Sequence, residues 1–560
     1  MRARTLCLMA AAAAFAAWWP LFTNWENTGF GDWVYFQRMW EAARVGLERH
    51  GGMPYWDPYH CGGLTLWGNP QSMVYGPLIL LAPLVGSTLA LKVFVVLHVA
   101  FAFYGMHRLA TYLGLDAPGA TAAAVAFSCC GFFAWHYGGG HVAFGPFGFA
   151  PWLLLCWRKS PGSLRHTLGV AVLMALTLFE GGVYPLPYFV LWLAFDALLR
   201  IRKGVLKVVG AGLLAGVLAL FASAARLIPT MQTLARFPRE VPARDEIAPV
   251  ELLQMLTSYE GVPGFSGRYV WAEYASYVGF STLVLAVLGA LIYGRKHRRV
   301  LYACVFFALL CLGDFAPWSP WRLLHHLPIY SSLRVPSRFV ILLILHLALL
   351  AGAGVQAIGA TLLRERRRWS ARYVPWLIAG AVAAEVLLVA RPLPAAYSNR
   401  PLRLSPPSER FYLTTTPYLR VAEFPARNVG TRGCYEAYEI PLVYGLRNGD
   451  VPQVVVENGR LEDEGRRPDH LWANVTMEGD GLLRFNQRYD SAWIPSVGVA
   501  EEERLRLTVR VPEGTERVDL HFRPPHAGLA WLLTALGWLA IVALWLVDHW
   551  RGRRRPIPKG

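Results

Sequence analysis

Residues 337–372 read SRFVILLILHLALLAGAGVQAIGATLLRERRRWSAR, a long apolar run followed at once by a basic cluster. The apolar stretch, 337–360, has the roughly 20-residue length that a helix needs to cross a bilayer. Lys and Arg concentrate in cytoplasmic loops, so the cluster from Arg364 to Arg372 predicts the inner end of a transmembrane helix. The other end of that helix, at Ser337 and Arg338, is then expected on the outer side.

The same alternation of apolar runs and basic clusters predicts a polytopic α-helical membrane protein of about twelve transmembrane helices, with both termini cytoplasmic. The proline-containing stretch 75–86 is too short to cross and is expected in the outer interface. The other predicted spans lie near 5–22, 88–111, 119–137, 142–157, 165–180, 183–200, 205–227, 275–294, 300–315, 373–391 and 527–547. The other inner clusters are Arg2 and Arg4; His107 and Arg108; Arg158, Lys159 and Arg165; Arg200, Arg202, Lys203 and Lys207; Arg295 to Arg299; and Arg551 to Arg555.

The overall composition agrees with this class. Hydrophobic residues make up 55% of the 560 residues and charged residues only 16%, unlike a soluble domain of this size. A net charge of +17 would suggest nucleic acid as the partner of a soluble protein. Here the inner clusters account for that excess, so membrane lipid is the expected partner and nucleic acid is not.

Three regions between the predicted spans are large enough to carry a function: 23–87, 228–274 and 392–526. The last has about 135 residues, the size of a domain, and lies between a transmembrane domain, residues 1–391, and a final segment, residues 527–560. Its later half alternates as strands do, which predicts an outer β-sandwich or jelly roll. The alternating residues are Leu505, Leu507, Val509 and Val511, then Val518, Leu520 and Phe522 after the turn Pro512-Glu513-Gly514.

The first outer region begins with an amphipathic helix over 33–47. Trp33, Phe36 and Trp40 share one face, and the opposite face is polar. A helix of this kind beside a transmembrane span is expected to lie along the membrane surface. The Gly- and Pro-rich loop that follows contains Asn69-Pro70-Gln71 and can lie close to a ligand.

Asp32 stands at the start of that helix. The sequence has no nucleotide-binding or cysteine-pair metal motif, so group transfer on the outer face would need a donor that arrives activated, such as a sugar on polyprenyl phosphate. Its phosphate leaves without an acid, and the protein must supply a base for the acceptor hydroxyl and cations for the phosphate. Asp32 fits the base, but Asp is also a favoured helix N-cap, and both roles stay open.

Arg334 and Arg338 are the candidate phosphate-binding cations. They bracket Val335-Pro336-Ser337 just outside a predicted span. The planar guanidinium can donate two hydrogen bonds to a phosphate. The alternative is that both side chains only extend toward lipid headgroups.

Four more titratable residues lie at the outer ends of predicted spans: His136, His141, Glu180 and Asp314. Such residues are costly at membrane depth and usually line a cavity, which predicts one polar chamber with Asp32. A structural hydrogen-bonding role is the alternative for each. With Asp57 these residues also form a possible site for a divalent metal, although carboxylates on separate loops are a weak metal signal.

Two of the eight cysteines, Cys61 and Cys434, fall in the predicted outer regions. A disulfide between them is possible in an oxidising compartment, but two lone cysteines do not reveal their separation.

Several short motifs, in order, carry a family resemblance: Gly31-Asp32, Pro54-Tyr55-Trp56-Asp57-Pro58, Gly62-Gly63, Asn69-Pro70-Gln71, Tyr75-Gly76-Pro77, Gly140-His141, Ala150-Pro151-Trp152, Leu333-Arg334-Val335-Pro336-Ser337-Arg338, Gly481-Leu482-Leu483, Trp493 and Phe522-Arg523-Pro524. Together they resemble YfhO-like bacterial membrane proteins of the GT-C glycosyltransferase superfamily. The resemblance implies a glycosyltransferase of the bacterial inner membrane that uses a polyprenyl-phosphate sugar, with Asp32 as the catalytic base. Asp57 stands where that family usually has Asn.

The leading hypothesis is therefore transfer of a sugar on the outer face to an acceptor glycan, lipid or protein. Arg334, Arg338 and His141 would bind the donor phosphate, and Trp33, Trp56 and Trp67 would offer faces to a sugar ring or prenyl chain. Two alternatives stay open: a transporter or flippase of lipid-linked intermediates, and a non-enzymatic assembly protein of the envelope. The outer domain would orient the acceptor or act as a lid.

Overall fold

The computed structural model describes residues 2–200, 204–239, 241–402, 407–415 and 418–553. Arg202, Lys203, Arg554 and Arg555, which the sequence assigns to inner basic clusters, lie outside these residues. The described α-helices are Ala3–Trp18, Pro20–Thr23, Asp32–His50, Ala82–Val85, Ser87–Tyr112, Ala117–Ser128, Gly131–Gly139, Ala150–Lys159, Leu164–Phe179, Pro185–Leu198, Val205–Ala222, Ala224–Arg236, Pro249–Thr257, Phe280–Tyr293, Arg298–Cys311, Pro320–His325, Val340–Arg364, Arg368–Val389, Phe424–Arg427 and Ala527–Arg553.

Six described helices are long and apolar enough to cross a membrane, as expected for an integral membrane protein. Helices in other predicted spans are shorter, and the region 142–157 divides into a 3-10 helix, Val142–Phe149, and the helix Ala150–Lys159. Pro146 lies inside the first of these, where it removes a backbone donor. The number of twelve crossings therefore stays a prediction. The six long helices are Ser87–Tyr112, Ala117–Gly139, Val205–Ala222, Pro336–Arg364, Arg368–Val389 and Ala527–Arg551.

The helix Val340–Arg364 is one of the two most enclosed long helices. Its residues Gly352 and Gly354 face neighbouring helices at backbone distance, and an added Cβ at Gly352 would collide with the carbonyl oxygen of Gly119. Small residues let apolar helices approach closely, which is a main source of stability where water is excluded. A leucine at Gly352 would push this central helix away from its neighbour.

The β-sandwich predicted for the last outer region is present, with two four-stranded antiparallel sheets. Its predicted inward residues are buried between the sheets: Leu507, Val509, Val511, Val518, Leu520 and Phe522. Leu505 instead lies just before its strand, at a φ of 69°. One sheet has the strand order Val499–Glu503, Arg506–Val511, Gly481–Arg488 and Val454–Val456, and the other has Gly459–Arg467, His470–Met477, Arg517–Phe522 and Trp493–Pro495.

The first outer region is fastened to this sandwich. Trp56, in the short strand Trp56–Asp57, is buried in the sandwich core with its ring centroid 4.7 Å from that of Phe522. A disulfide also joins Cys61 to Cys434, with the two Cα atoms 4.6 Å apart, so the possible pairing is confirmed. A parallel strand pair, Tyr412–Thr414 and Val429–Thr431, lies beside this junction.

The amphipathic helix is also confirmed, over Asp32–His50, but most of its predicted polar face is covered. Gln37, Arg38 and Glu41 on the predicted polar face are each 1% exposed. Arg38 pairs with Asp57, and Glu41 accepts hydrogen bonds from Arg44 and Ser87. Gln37, Arg38 and Glu41 are therefore buried polar residues with partners, which local periodicity alone cannot distinguish from residues of a surface face.

Candidate active site

A cavity of about 190 Å³ lies where the start of the helix Asp32–His50 meets the transmembrane domain and the segment after the disulfide. Asp32 lies in its wall, together with the arginines that precede the helix Val340–Arg364. The lining residues are Asp32, Tyr35, Phe36, Gln71, His141, Ala143, Phe144, Tyr184, Arg239, Arg334, Arg338, Tyr435, Glu436 and Ala437.

Asp32 is held in place by a close backbone contact. Gly140 has a φ of 101°, and an added Cβ there would collide with the backbone nitrogen of Trp33, so only glycine fits. The indole N–H of Trp33 donates to the carbonyl of Tyr137 at 2.7 Å. The helix begins at Asp32 with Gly31 as its N-cap residue, and no side chain caps it. The capping hypothesis for Asp32 is therefore wrong.

The carboxylate of Asp32 instead accepts two hydrogen bonds from other elements. The Tyr435 hydroxyl donates to Oδ1 at 2.6 Å, and Nε2 of His141 lies 3.1 Å from Oδ2. Burial raises the pKa of Asp32, but these two partners outweigh it and leave the pKa lowered. The side chain is 22% exposed. Asp32 is thus ionised at neutral pH and open to the cavity.

His136 continues this chain away from the cavity. Its Nδ1 lies 2.8 Å from Nδ1 of His141, so both ring nitrogens of His141 are engaged, one by Asp32 and one by His136. His136 is buried and does not line the cavity. The two histidines therefore orient the Asp32 carboxylate, whichever of them carries the shared proton.

Arg334 and Arg338 share one acid, Glu273, which the sequence did not single out. Arg338 donates from Nε and Nη2 at 2.8 and 2.7 Å, and Arg334 from Nη2 at 3.3 Å. Burial raises the pKa of Glu273, but the positive charges of Arg338 and His141 outweigh it and lower that pKa. Arg338 is buried, whereas Arg334 is 41% exposed and its buried Nε has no hydrogen-bond partner among the described residues. Two cations against one carboxylate leave positive charge at the cavity wall.

A second acid that the sequence did not single out, Glu436, follows Tyr435 in the same wall. It accepts hydrogen bonds from the Tyr35 hydroxyl at 2.5 Å and from the Asn69 amide at 2.9 Å. Burial raises the pKa of Glu436 to about 7, against the opposing effect of Arg38. The only sequence signal for this wall is the possible disulfide, because Cys434 directly precedes Tyr435.

The structure gathers some of the predicted site residues and separates others. Asp32, Gln71, His141, Arg334 and Arg338 line the cavity, and Asn69 and His136 lie directly behind it. Asp57, Glu180 and Asp314, which were predicted to line the chamber, do not line this cavity, and each contacts a partner elsewhere. Asp57 pairs with Arg38, Glu180 with His98 at 2.8 Å, and Asp314 with Nη2 of Arg322 at 2.8 Å.

The predicted aromatic platform is not available. Trp33, Trp56 and Trp67 are all fully buried, so none presents a ring face to a ligand. The size of the indole ring explains this burial, since large aromatic rings contribute most to stability when they are packed in a core. The phenyl and phenol rings that do line the cavity belong to Tyr35, Phe36, Phe144, Tyr184 and Tyr435.

One described group has the composition of a metal site: ligand atoms of His136, His141 and Glu273 lie within 4.8 Å of one another. Both nitrogens of His141 are already engaged, and the Glu273 carboxylate is held by Arg338. A divalent ion would have to displace Arg338 and then stand beside two guanidinium groups. The electrostatics of this wall therefore favour an anion over a metal ion.

No protein-family model matches this chain. No curated protein matches it either. Among solved structures, the chain is similar to the apo oligosaccharyltransferase of Archaeoglobus fulgidus, at 13% identity and a TM-score of 0.42, covering 76% of this chain and 64% of that one. It is also similar to ArnT from Cupriavidus metallidurans bound to undecaprenyl phosphate, at 11% identity and a TM-score of 0.47, covering 76% and 84%. At TM-scores below 0.5 these likenesses carry no conclusion about function, which has to be inferred from the residues of the site.

Proposed function

We propose that this protein is a membrane glycosyltransferase that moves a sugar from a polyprenyl-phosphate donor to an acceptor outside the cytoplasm. The observation that carries the proposal is the pairing of an ionised, partly exposed carboxylate, Asp32, with the cationic wall of Arg334 and Arg338 around one cavity. A base for a hydroxyl and cations for a departing phosphate are the two functions that this reaction needs from a protein.

In the proposed reaction the acceptor hydroxyl oxygen attacks the anomeric carbon while the bond from that carbon to the phosphate oxygen breaks. Asp32 takes the proton of the hydroxyl, and the bond electrons leave with the polyprenyl phosphate. Arg334 meets the departing phosphate, because its side chain is 41% exposed and lines the cavity. Arg338, held by Glu273, adds positive charge from behind.

His141 takes a different role from the one predicted for it. The sequence placed it among the phosphate ligands, but its ring lies between Asp32 and His136. We assign it to orienting the Asp32 carboxylate. The site would face the outside of a bacterial inner membrane, the side on which the positive-inside pattern places 23–87 and 392–526.

The test uses purified protein in lipid, given a labelled polyprenyl-phosphate sugar and an envelope extract as the acceptor source. The wild type should release polyprenyl phosphate, and Asp32→Asn should lower the rate by about 10²–10⁴-fold, the usual contribution of a general base. Asp463→Asn, on the exposed strand Gly459–Arg467, is the matched control and should stay active. An active Asp32→Asn protein would refute the base role, and absence of release by the wild type would refute the transferase.

A further inference from the structure

Two more cavities, of about 210 and 250 Å³, adjoin each other where the outer domain covers the far end of the helix Asp32–His50. Phe411, Asn428 and Arg466 line both and form the wall between them. We name the pair the outer groove. Its helical residue Arg49 is 17 positions from Asp32, or about 25 Å along a helix, so the groove is separate from the candidate active site.

The smaller cavity is basic. Arg49, His50, Arg466 and Arg467 line it, and no acidic residue does so among the described residues. Arg49, His50 and Arg467 are exposed, and none of them forms an ion pair within the described chain. Burial and then the charges of Arg467 and Arg49 lower the pKa of His50, as expected where cations crowd together. This end of the groove therefore holds unneutralised positive charge.

The negative end of the helix dipole alone does not explain why several basic residues gather at this cavity. The C-terminus of a helix carries the equivalent of only about half a negative charge, which one cation near its last turn offsets. Here the helical residue Arg49 meets Arg466 and Arg467 from the strand Gly459–Arg467, whereas His50, with its lowered pKa, is neutral at pH 7. The guanidinium groups around this cavity repel one another, and an anion bound between them would relieve that repulsion.

The larger cavity has an aromatic ring and fixed amide groups. Trp472 pairs with Gly465 of the neighbouring strand, where the absent side chain leaves room for the indole ring. The Gln487 amide donates to the carbonyl of Gly62 at 2.7 Å and accepts from Arg466. Asn486 is held by hydrogen bonds to Arg447 at 2.7 and 2.9 Å. A flat ring beside oriented amides is suited to a sugar, whose C–H face stacks on the ring while its hydroxyls bond to polar groups.

We propose that the outer groove binds a glycan that bears phosphate or carboxylate groups, with a sugar ring in the larger cavity and an anionic group in the basic one. The proposal rests on the proposed function in one respect: the bound glycan is taken to be the acceptor of the transferred sugar. Phe411, over which the Arg466 guanidinium lies at 3.8 Å, separates the two subsites. The distance to Asp32 requires an acceptor of several sugar units.

Binding is tested without any donor, on the full chain in lipid nanodiscs. The probes are fluorescent maltotetraose carrying one terminal phosphate and the same oligosaccharide without it. The phosphorylated probe should bind about tenfold more tightly or better, with a preference that declines as salt rises. Equal binding of the two probes, or binding of neither, would overturn the proposal. The bound probe is then displaced with inorganic phosphate or with the unlabelled phosphorylated oligosaccharide. If the two displace it equally well, the groove is an anion site with no part in glycan recognition.

The variant arm uses Arg49→Gln combined with Arg467→Gln. This protein should lose the preference for the phosphorylated probe, whereas Arg460→Gln should keep it. Arg460 lies on the same strand but pairs with Glu462 at 2.8 Å and is outside the groove. A double variant that binds like the wild type would overturn the proposal. Asp32→Asn should bind the probe normally, so loss of sugar transfer and loss of glycan binding are separate outcomes.

Discussion

Nε2 of His141 lies 3.1 Å from Oδ2 of Asp32, which joins the turn after the helix Gly131–Gly139 to the first residue of the helix Asp32–His50. The Tyr435 hydroxyl reaches the other oxygen of the same carboxylate at 2.6 Å. Two distant regions of the chain, around His141 and Tyr435, therefore help to set the protonation state of Asp32. Each predicted effect of changing them follows from that arrangement.

Removal of either partner should shift the pH dependence of the reaction. The ionised form of Asp32 is present above its pKa and is lost as pH falls. Since His141 and Tyr435 lower that pKa, His141→Asn or Tyr435→Phe should raise it and move the acid limb of the rate profile upward by about one pH unit. Tyr444→Phe, an exposed tyrosine of the same region, should leave the limb in place. An unmoved limb in both variants would show that another group controls it.

The two arginines should respond differently to substitution. Arg334→Gln should raise the KM for the donor about tenfold with little change in thermal stability, because this side chain is partly exposed and holds Glu273 through one long contact. Arg338→Gln removes the buried partner of Glu273 and should destabilise the protein by roughly 3–5 kcal/mol. Donor titration and thermal unfolding distinguish the two effects. Equal KM values for Arg334→Gln and the wild type would remove this residue from the donor site.

Glu436 should make stability depend on pH. Burial raises the pKa of the Glu436 carboxyl from 4.5 to about 7. The stability that its protonated form contributes is therefore complete below the pKa of the unfolded chain and is lost as pH rises through 7. Thermal stability of the wild type should therefore fall between about pH 4.5 and 7, by at most roughly 3 kcal/mol. Glu436→Gln should flatten this section of the profile. The control variant Glu439→Gln changes an exposed neighbour and should retain the wild-type slope. If Glu436→Gln also retained the wild-type slope, the pKa of Glu436 would not be raised in the folded protein.

The disulfide should matter for activity as well as for stability. Cys434 directly precedes Tyr435 and Glu436, and its bond to Cys61 fixes that segment against the first outer region. Replacing both cysteines by serine should cost about 2–5 kcal/mol of unfolding free energy and should also lower the transfer rate at temperatures where the variant remains folded. Cys304→Ser, a cysteine that is not in a disulfide, is the control. A variant that is less stable but fully active would show that the tether does not position Tyr435.

Periodicity and charge by themselves determined much of this protein. The apolar runs predicted where helices form, and alternation at 505–522 predicted the strands of the sandwich, because both patterns follow directly from local backbone geometry. The helix that begins near Asp32 was predicted to within three residues at its far end. Asp32, His141, Arg334 and Arg338 were chosen for their chemistry and for their places at helix ends, and these four do share one cavity.

Only the tertiary structure decided which charges meet. Glu273 lies in a three-residue 3-10 helix, and Tyr435 and Glu436 lie in an irregular segment, so none carries a periodic signal. They reach the site through packing between regions about 65 to 400 positions apart in the chain. Asp57, Glu180 and Asp314 looked equally suitable by type and placement, yet each is held by a partner outside the cavity. A side chain's partner depends on how whole elements pack, because ion pairs form over a few ångströms and no local sequence pattern records that distance.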